Sequence, residues 1–434
     1  MQLIHACPRG RGARLALIAV AHALVACGTP ASTGARGSAG SPSADAGPYG
    51  GTDAGLDTSL DASVDAGPEG SAPADASPDG STQHYLYAVN DGPVVSIYDL
   101  DSPDFHLVRE VAAGSSTEGV RGVVASADGM LYVSYGCGSP AGCTPYLMKY
   151  DVRTDQPVWT RVVPGGIDSH SITPDGRTIY MPTGEADYAH TSWLVIDTST
   201  GDVTGQIDSG IGAPHNTIVS SDGARVYMDA VGQDTGGLSY LVVAHTSDNT
   251  VFRRIGPVLN NVTRPFTLDV DERFAFILPM GYLGFQVGDV ATGSILYTVP
   301  VAGYTCPYTG VGQGIGCNHG ISLSPDGREI YMVDFHNNRV HVYDVTGLPA
   351  TAPQQVDSVA LAHPYTYSGA WATHTRDGRF VLVGRSGDVI DTATRSVVGF
   401  VPALGTSKVY TEIDFQNGRV VFTPLSRSGV GYPR

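Results

Sequence analysis

From His84 onward, short apolar runs alternate with polar breaks at a regular interval. A run of mostly apolar residues enters a two-residue turn, and a second such run leaves it. The turns are Asp128-Gly129, Asp175-Gly176, Asp222-Gly223, Asp271-Glu272, Asp326-Gly327, Asp377-Gly378 and Asn417-Gly418, separated by 47, 47, 49, 55, 51 and 40 residues. Asp-Gly and Asn-Gly accept the positive φ of tight hairpins, so each pair of runs predicts two antiparallel strands. The strand after the turn carries an aromatic at a fixed place, as in Leu131-Tyr132-Val133, Ile179-Tyr180-Met181, Val226-Tyr227-Met228 and Ile330-Tyr331-Met332. A third run ends on Asp99, Asp151, Asp197, Asp289, Asp344 or Asp391, with His245 at that place in the remaining repeat. An Asp there folds its carboxylate onto the next turn, so these six acids are expected to be structural.

A period of 40–55 residues with several short strands in each repeat predicts an all-β fold, a β-propeller of four-stranded blades. Seven turns and seven third strands predict seven blades of about 50 residues over 84–434. One surplus strand of the second type leaves eight blades open. The chain enters in mid-blade and ends in a hairpin, so the termini are expected to complete one sheet and remove its open edges. The strand after the turn resembles the YVTN-type propeller repeat. The stretch Asn318-His319-Gly320-Ile321-Ser322-Leu323-Ser324-Pro325-Asp326-Gly327, with Val340-His341-Val342-Tyr343-Asp344, resembles the repeats of lactonase-like propeller enzymes. The resemblance covers essentially all of 84–434 and implies the fold. It transfers no catalytic residue, because no full active-site motif overlies this chain.

The segment before the repeats reads differently. Arg9, Arg11 and Arg14 precede an apolar run from Leu15 to Ala26, too short to span a membrane and suited to a secretory signal. Leu24-Val25-Ala26-Cys27 resembles the bacterial lipoprotein box, which implies removal of residues 1–26 and lipidation of Cys27. Gly28 is not the Asp-type inner-membrane retention signal, so an outer-membrane or surface location is expected. Of the 56 residues in 28–83, 49 are Gly, Ala, Ser, Thr, Pro or Asp. Such a stretch has too little apolar surface to offset its ordering entropy and is expected to act as a disordered tether.

Export sets the reading of the remaining cysteines. Cys137 with Cys143, and Cys306 with Cys317, form two close pairs, each bracketing a Gly-rich stretch. This predicts two disulfide-closed loops, Cys137–Cys143 and Cys306–Cys317. A four-Cys zinc site fits these spacings poorly.

Candidate chemistry emerges on counting back seven residues from each turn, to the start of what should be the innermost strand. The positions hold Arg121, Asp168, His215, Arg264, His319, Ala370 and Tyr410, on a chain only 15% charged. His170 reaches the same level if its strand is offset. Arg121 and Arg264 suit an anionic group, and His215 and His319 suit a general base or metal ligation. Asp168, His170 and Tyr410 complete the expected ligand-binding ring. Loops at the same mouth carry Glu185, Asp187, His190, Asp229, Asp234, Asp334 and His336, which form either a solvated acidic rim or part of a divalent-metal site. Tyr365, Tyr367 and Trp371 offer either a stacking platform or core packing. As mouth residues, Arg264 and His319 are expected to tolerate substitution without loss of stability.

A formal charge of −17, from 25 basic against 42 acidic residues, excludes nonspecific binding of nucleic acid. Nucleotide-loop, metalloprotease-helix and nucleophilic-serine motifs are absent from the sequence. Two function classes remain. One is a membrane-anchored, monomeric binding propeller taking a protein, glycan or small anion at its mouth. The other is a lactonase-like hydrolase or lyase, using mouth His and Arg and a divalent cation.

Overall fold

The computed structural model describes residues 80–114, 119–136, 144–185, 188–307, 316–365 and 369–426. The signal segment, Cys27, the tether up to residue 79, Asp187 and Tyr367 lie outside them. Cys137 and Cys143 lie outside them too, so of the two predicted disulfides Cys137–Cys143 is not among the bonds the structure describes. The described chain is seven antiparallel sheets with one short helix, Pro402–Thr406, and one 3-10 turn, Leu259–Asn261. Six sheets have four strands in chain order: blade 2 (120–162), blade 3 (171–208), blade 4 (214–255), blade 5 (263–300), blade 6 (318–360) and blade 7 (371–400). The chain is a seven-bladed β-propeller.

Blade 1 resolves the surplus strand. Its order is Arg419–Phe422, Tyr410–Gln416, Gln83–Asn90, Val94–Asp99, Leu107–Ala112, so it has five strands, and the described residues form no eighth blade. The termini do complete one sheet, but the joint is made by the penultimate strand. Tyr410–Gln416 pairs antiparallel with Gln83–Asn90, setting Tyr85 opposite Ile413 and Tyr87 opposite Thr411. The last strand lies beyond it. From there the Thr423 hydroxyl donates to the Ala125 carbonyl at 2.9 Å, and the Leu425 carbonyl accepts from the Ile172 amide at 3.0 Å. The tail therefore runs along the turn ends of blades 2 and 3.

The turn chemistry is as the sequence requires. Gly129, Gly176, Gly223, Gly327, Gly378 and Gly418 all have φ between 71° and 80°, and Glu272 takes φ 52° in the fifth repeat. The acids after the third strands accept backbone N–H groups two or three residues on, for example Asp197 from Ser199 at 2.8 Å and Asp344 from Thr346 at 2.8 Å. The repeated aromatics Tyr132, Tyr180, Tyr227 and Tyr331 are fully buried, and they pack between sheets. The Cys306–Cys317 disulfide is present, with a Cα–Cα distance of 5.6 Å. It fixes Cys317 at the entrance to the first strand of blade 6, two residues before His319.

Candidate functional site

The mouth residues are displayed by a repeated irregularity of the innermost strands. In blade 2, Val120 pairs with Tyr135 and Gly122 with Ser134, so Arg121 is an extra residue in the ladder. Blades 4 and 6 slip between Pro214 and Thr217 and between Asn318 and Ile321, so two residues face one. Blade 5 slips between Arg264 and Phe266. A bulge bends its strand and re-aims the local side chains, here at equivalent places in four blades. In blade 3 the regular strand is only Ser171–Ile172, which leaves Asp168 and His170 ahead of it in irregular chain.

Two glycines at these bulges answer to close approaches. A Cβ on Gly122 would stand 2.7 Å from His170 Nδ1. Gly320 has φ 92°, and its Cβ would meet the Trp371 backbone at 2.7 Å. The glycines that follow Arg121 and His319 thus have steric causes.

Glu185 is the hub of the site. Arg264 Nη1 donates to its Oε2 at 2.8 Å and Arg121 Nη1 to its Oε1 at 3.4 Å, while His215 Nε2 lies 3.6 Å from Oε2. Burial acts to raise the Glu185 pKa. The charges of His215, Arg264, Lys408 and Arg121 outweigh it and hold the carboxyl well below its ordinary range. Behind His215, Asn216 Nδ2 meets Nδ1 at 2.6 Å and also donates to the Asp229 carboxylate at 3.1 Å. Nδ1 also lies 3.4 Å from Asp229 Oδ1, so the ring stands between the Asp229 and Glu185 carboxylates.

His319 stands beside this pair, its ring centroid 6.0 Å from that of His215. Its Nδ1–H donates to the Ala370 carbonyl at 2.8 Å, which leaves Nε2 as a lone-pair acceptor. Burial, reinforced by Lys408, Arg264 and His215, pushes its pKa well below 6.5, so the ring is neutral. Asp168, 3% exposed, accepts from the Ser169 amide at 2.9 Å through Oδ1, and its Oδ2 has no hydrogen-bond partner among the described residues. Arg264 Nε is likewise without a partner there. Donor atoms of Asp168, Glu185 and His215 lie within 4.8 Å of one another, a set able to hold a divalent cation.

Not every expected residue joins this cluster. His170 Nε2 lies 3.3 Å from the Tyr132 carbonyl, and Tyr410 donates its hydroxyl to the Leu382 carbonyl at 2.7 Å. Asp334 is fully buried, bonded to His341 at 3.1 Å and to the Asn337 side chain at 2.7 Å. His190 and His336 are exposed. Trp371 is 1% exposed and packs in the core, with a ring-edge contact to His319. Arg264 and His319 are 6% and 2% exposed, so the expectation that they behave as surface positions is corrected: substituting either disturbs packed, charged surroundings. Lys408 escapes the count, because it lies two residues before the aligned position Tyr410. Asp229 reads as a rim acid in the sequence and instead is buried behind His215.

No family model matches this chain, and no curated protein matches it. Among solved structures, a chain of Kuenenia stuttgartiensis hydrazine synthase is similar, with a TM-score of 0.52 and 17% identity, covering 69% of this chain and 90% of that one. At that identity the likeness is one of fold.

Proposed function

We propose that this is an exported, lipid-anchored binding propeller that takes a small anionic ligand at the mouth around Glu185. The observation that carries the reading is the cradle itself. Two arginines from blades 2 and 5 already grip one carboxylate, that of Glu185, in the manner in which guanidinium groups grip a ligand carboxylate. Arg264 Nε and Asp168 Oδ2 supply a further donor and acceptor. Glu185 would act as the internal occupant that an incoming anion displaces or joins.

The test is calorimetric titration of the full chain, in EDTA, with mono- and dicarboxylates. Arg121→Ala, at a side chain 31% exposed, should keep the fold and weaken binding roughly 10- to 100-fold, the worth of a charged hydrogen bond. Glu185→Gln should strengthen it, on the order of tenfold, by removing the competing charge. No binding by any such anion, or identical binding by Arg121→Ala, would sink the reading.

The second reading, a lactonase-like hydrolase, draws on the donor cluster Asp168/Glu185/His215 and the free Nε2 of His319. It calls for metal-dependent lactone turnover that is lost in His319→Gln, measured on the same preparation.

The anchor proposal rests on the box ending at Cys27 and the tether of 28–83. Cys27→Ser should move the protein wholly from the detergent to the aqueous phase with an unchanged melting temperature, because anchor and fold are separate. Retention in the detergent phase would show that something other than Cys27 holds the protein to membranes.

A further inference from the structure

A second cluster of ligating side chains lies away from the mouth, at the joint where the ring closes. His84 in Gln83–Asn90 stands directly opposite Asp414 in Tyr410–Gln416, and Glu412 is two residues along. Strand alternation puts Glu412 and Asp414 on one face, while Ile413 and Phe415 point to the core on the other. His84 Nδ1 is 3.0 Å from Asp414 Oδ1 and 3.5 Å from Glu412 Oε1. The opposite oxygens are occupied by Arg376 of blade 7, whose backbone N–H donates to Glu412 Oε2 at 2.8 Å and whose Nη1 donates to Asp414 Oδ2 at 3.4 Å.

Each carboxylate therefore has one oxygen held from outside and the other turned toward the same imidazole nitrogen. Asp414 is fully buried and Glu412 is 5% exposed. Glu412 Oε1 has no hydrogen-bond partner among the described residues, although it faces His84 Nδ1. The three side chains thus bring one nitrogen and two carboxylate oxygens within 4.8 Å of one another, a donor set of the kind that holds a cation.

We propose that His84, Glu412 and Asp414 bind one Zn²⁺ that clips the first and penultimate strands of the ring together. The spacing suits that ion. Zn–N and Zn–O bonds of about 2.0–2.2 Å in a tetrahedron separate neighbouring ligand atoms by roughly 3.3–3.6 Å. The Nδ1–Oδ1 and Nδ1–Oε1 separations of 3.0 and 3.5 Å bracket the lower end of that range. One imidazole with two carboxylates favours Zn²⁺ over Ca²⁺ or Mg²⁺, which prefer all-oxygen shells. Arg376 would serve as the outer support that orients both carboxylates. Because His84 and Asp414 are 330 residues apart, the metal would close a very long loop, and binding would stabilise the fold. The competing occupant is the proton: a charged His84 bridging the two carboxylates without metal.

The experiment uses the full-length chain in detergent, stripped with EDTA and titrated with Zn²⁺ alone. The expected result is one equivalent that Glu412→Gln loses and Asp168→Asn keeps, and a melting temperature raised by roughly 3–6 °C at saturation. Amide hydrogen exchange should slow about tenfold or more in Gln83–Asn90 and Tyr410–Gln416, against little change in blades 3 to 6. Glu412→Gln and His84→Gln should abolish these effects, whereas Asp168→Asn at the mouth should retain them. No stoichiometric binding, protection mapping elsewhere, or equal stabilisation of Glu412→Gln would overturn the proposal. Should either variant fail to fold, the exchange map of the wild-type chain decides alone.

Discussion

A chain ending at Val409 should yield no folded monomer, whereas one ending at Gly418 should fold with a lowered melting temperature. The difference lies in which strand closes the ring. Truncation at Val409 removes Tyr410–Gln416, the only partner of Gln83–Asn90 on its channel side. Tyr410, Ile413 and Phe415 are between 0% and 2% exposed, and each is worth about 1.5–3 kcal/mol when fully buried. Their sum, together with a lost backbone ladder, is comparable to the roughly 5–15 kcal/mol stability of a whole domain. The cut would also leave the edge of Gln83–Asn90 unpaired, which invites association through that edge. Truncation after Gly418 removes Arg419–Phe422 and the tail that reaches Ala125, Ser171 and Ile172, but keeps four strands in blade 1. Gel filtration and far-UV circular dichroism separate the outcomes. A soluble, cooperatively melting chain 1–409 would show that the sheet order of blade 1 does not hold the ring closed.

That contrast also marks what the sequence could convey. The turns and the buried tyrosines announced the blades because each is a local signal, repeated at one period and read within a few residues. The ring of mouth residues was legible for the same reason, since position relative to the turn fixes height along the innermost strand. What local patterns could not show was the strand and register that make the closure. His84 and Asp414 meet only because the termini share a sheet, and a shift of one residue would have turned Glu412 and Asp414 into the core. Nor could the sequence separate Glu185 from its neighbours on a polar loop. Its role comes from two arginines 64 and 79 residues away, delivered by bulges that no composition signals. Asp229 and Asp334 show the opposite failure: both lie at the end of a second strand and look like rim acids, yet both are buried to hold a histidine, His215 or His341. An acid at a strand end reads alike whether it faces solvent or a buried imidazole.

The second large effect is expected on acidification, and it centres on His374. This ring is buried in blade 7, with its edge on the Tyr331 ring at a centroid distance of 4.8 Å. The Ser322 hydroxyl accepts the His374 backbone N–H at 3.1 Å and lies 2.9 Å from Nδ1. Burial pushes its pKa down to about 3, against a weaker upward pull from Asp326. The folded value thus lies below the unfolded value of 6.5, so the unfolded chain binds the extra proton between them and folding stability falls as pH drops through that window. The slope is about 1.4 kcal/mol per pH unit for one such group. His374→Gln removes the titration, and groups common to both chains cancel in the comparison. Urea unfolding at several pH values should therefore show the stability of the wild type, relative to His374→Gln, falling by roughly 2 kcal/mol between about pH 6.5 and about pH 4.5. The variant starts less stable at neutral pH, because it loses the ring's contacts with the Ser322 hydroxyl and the Tyr331 ring, and the two chains converge as the histidine is forced to charge. Parallel stability curves would mean that burial does not hold the His374 pKa below its unfolded value.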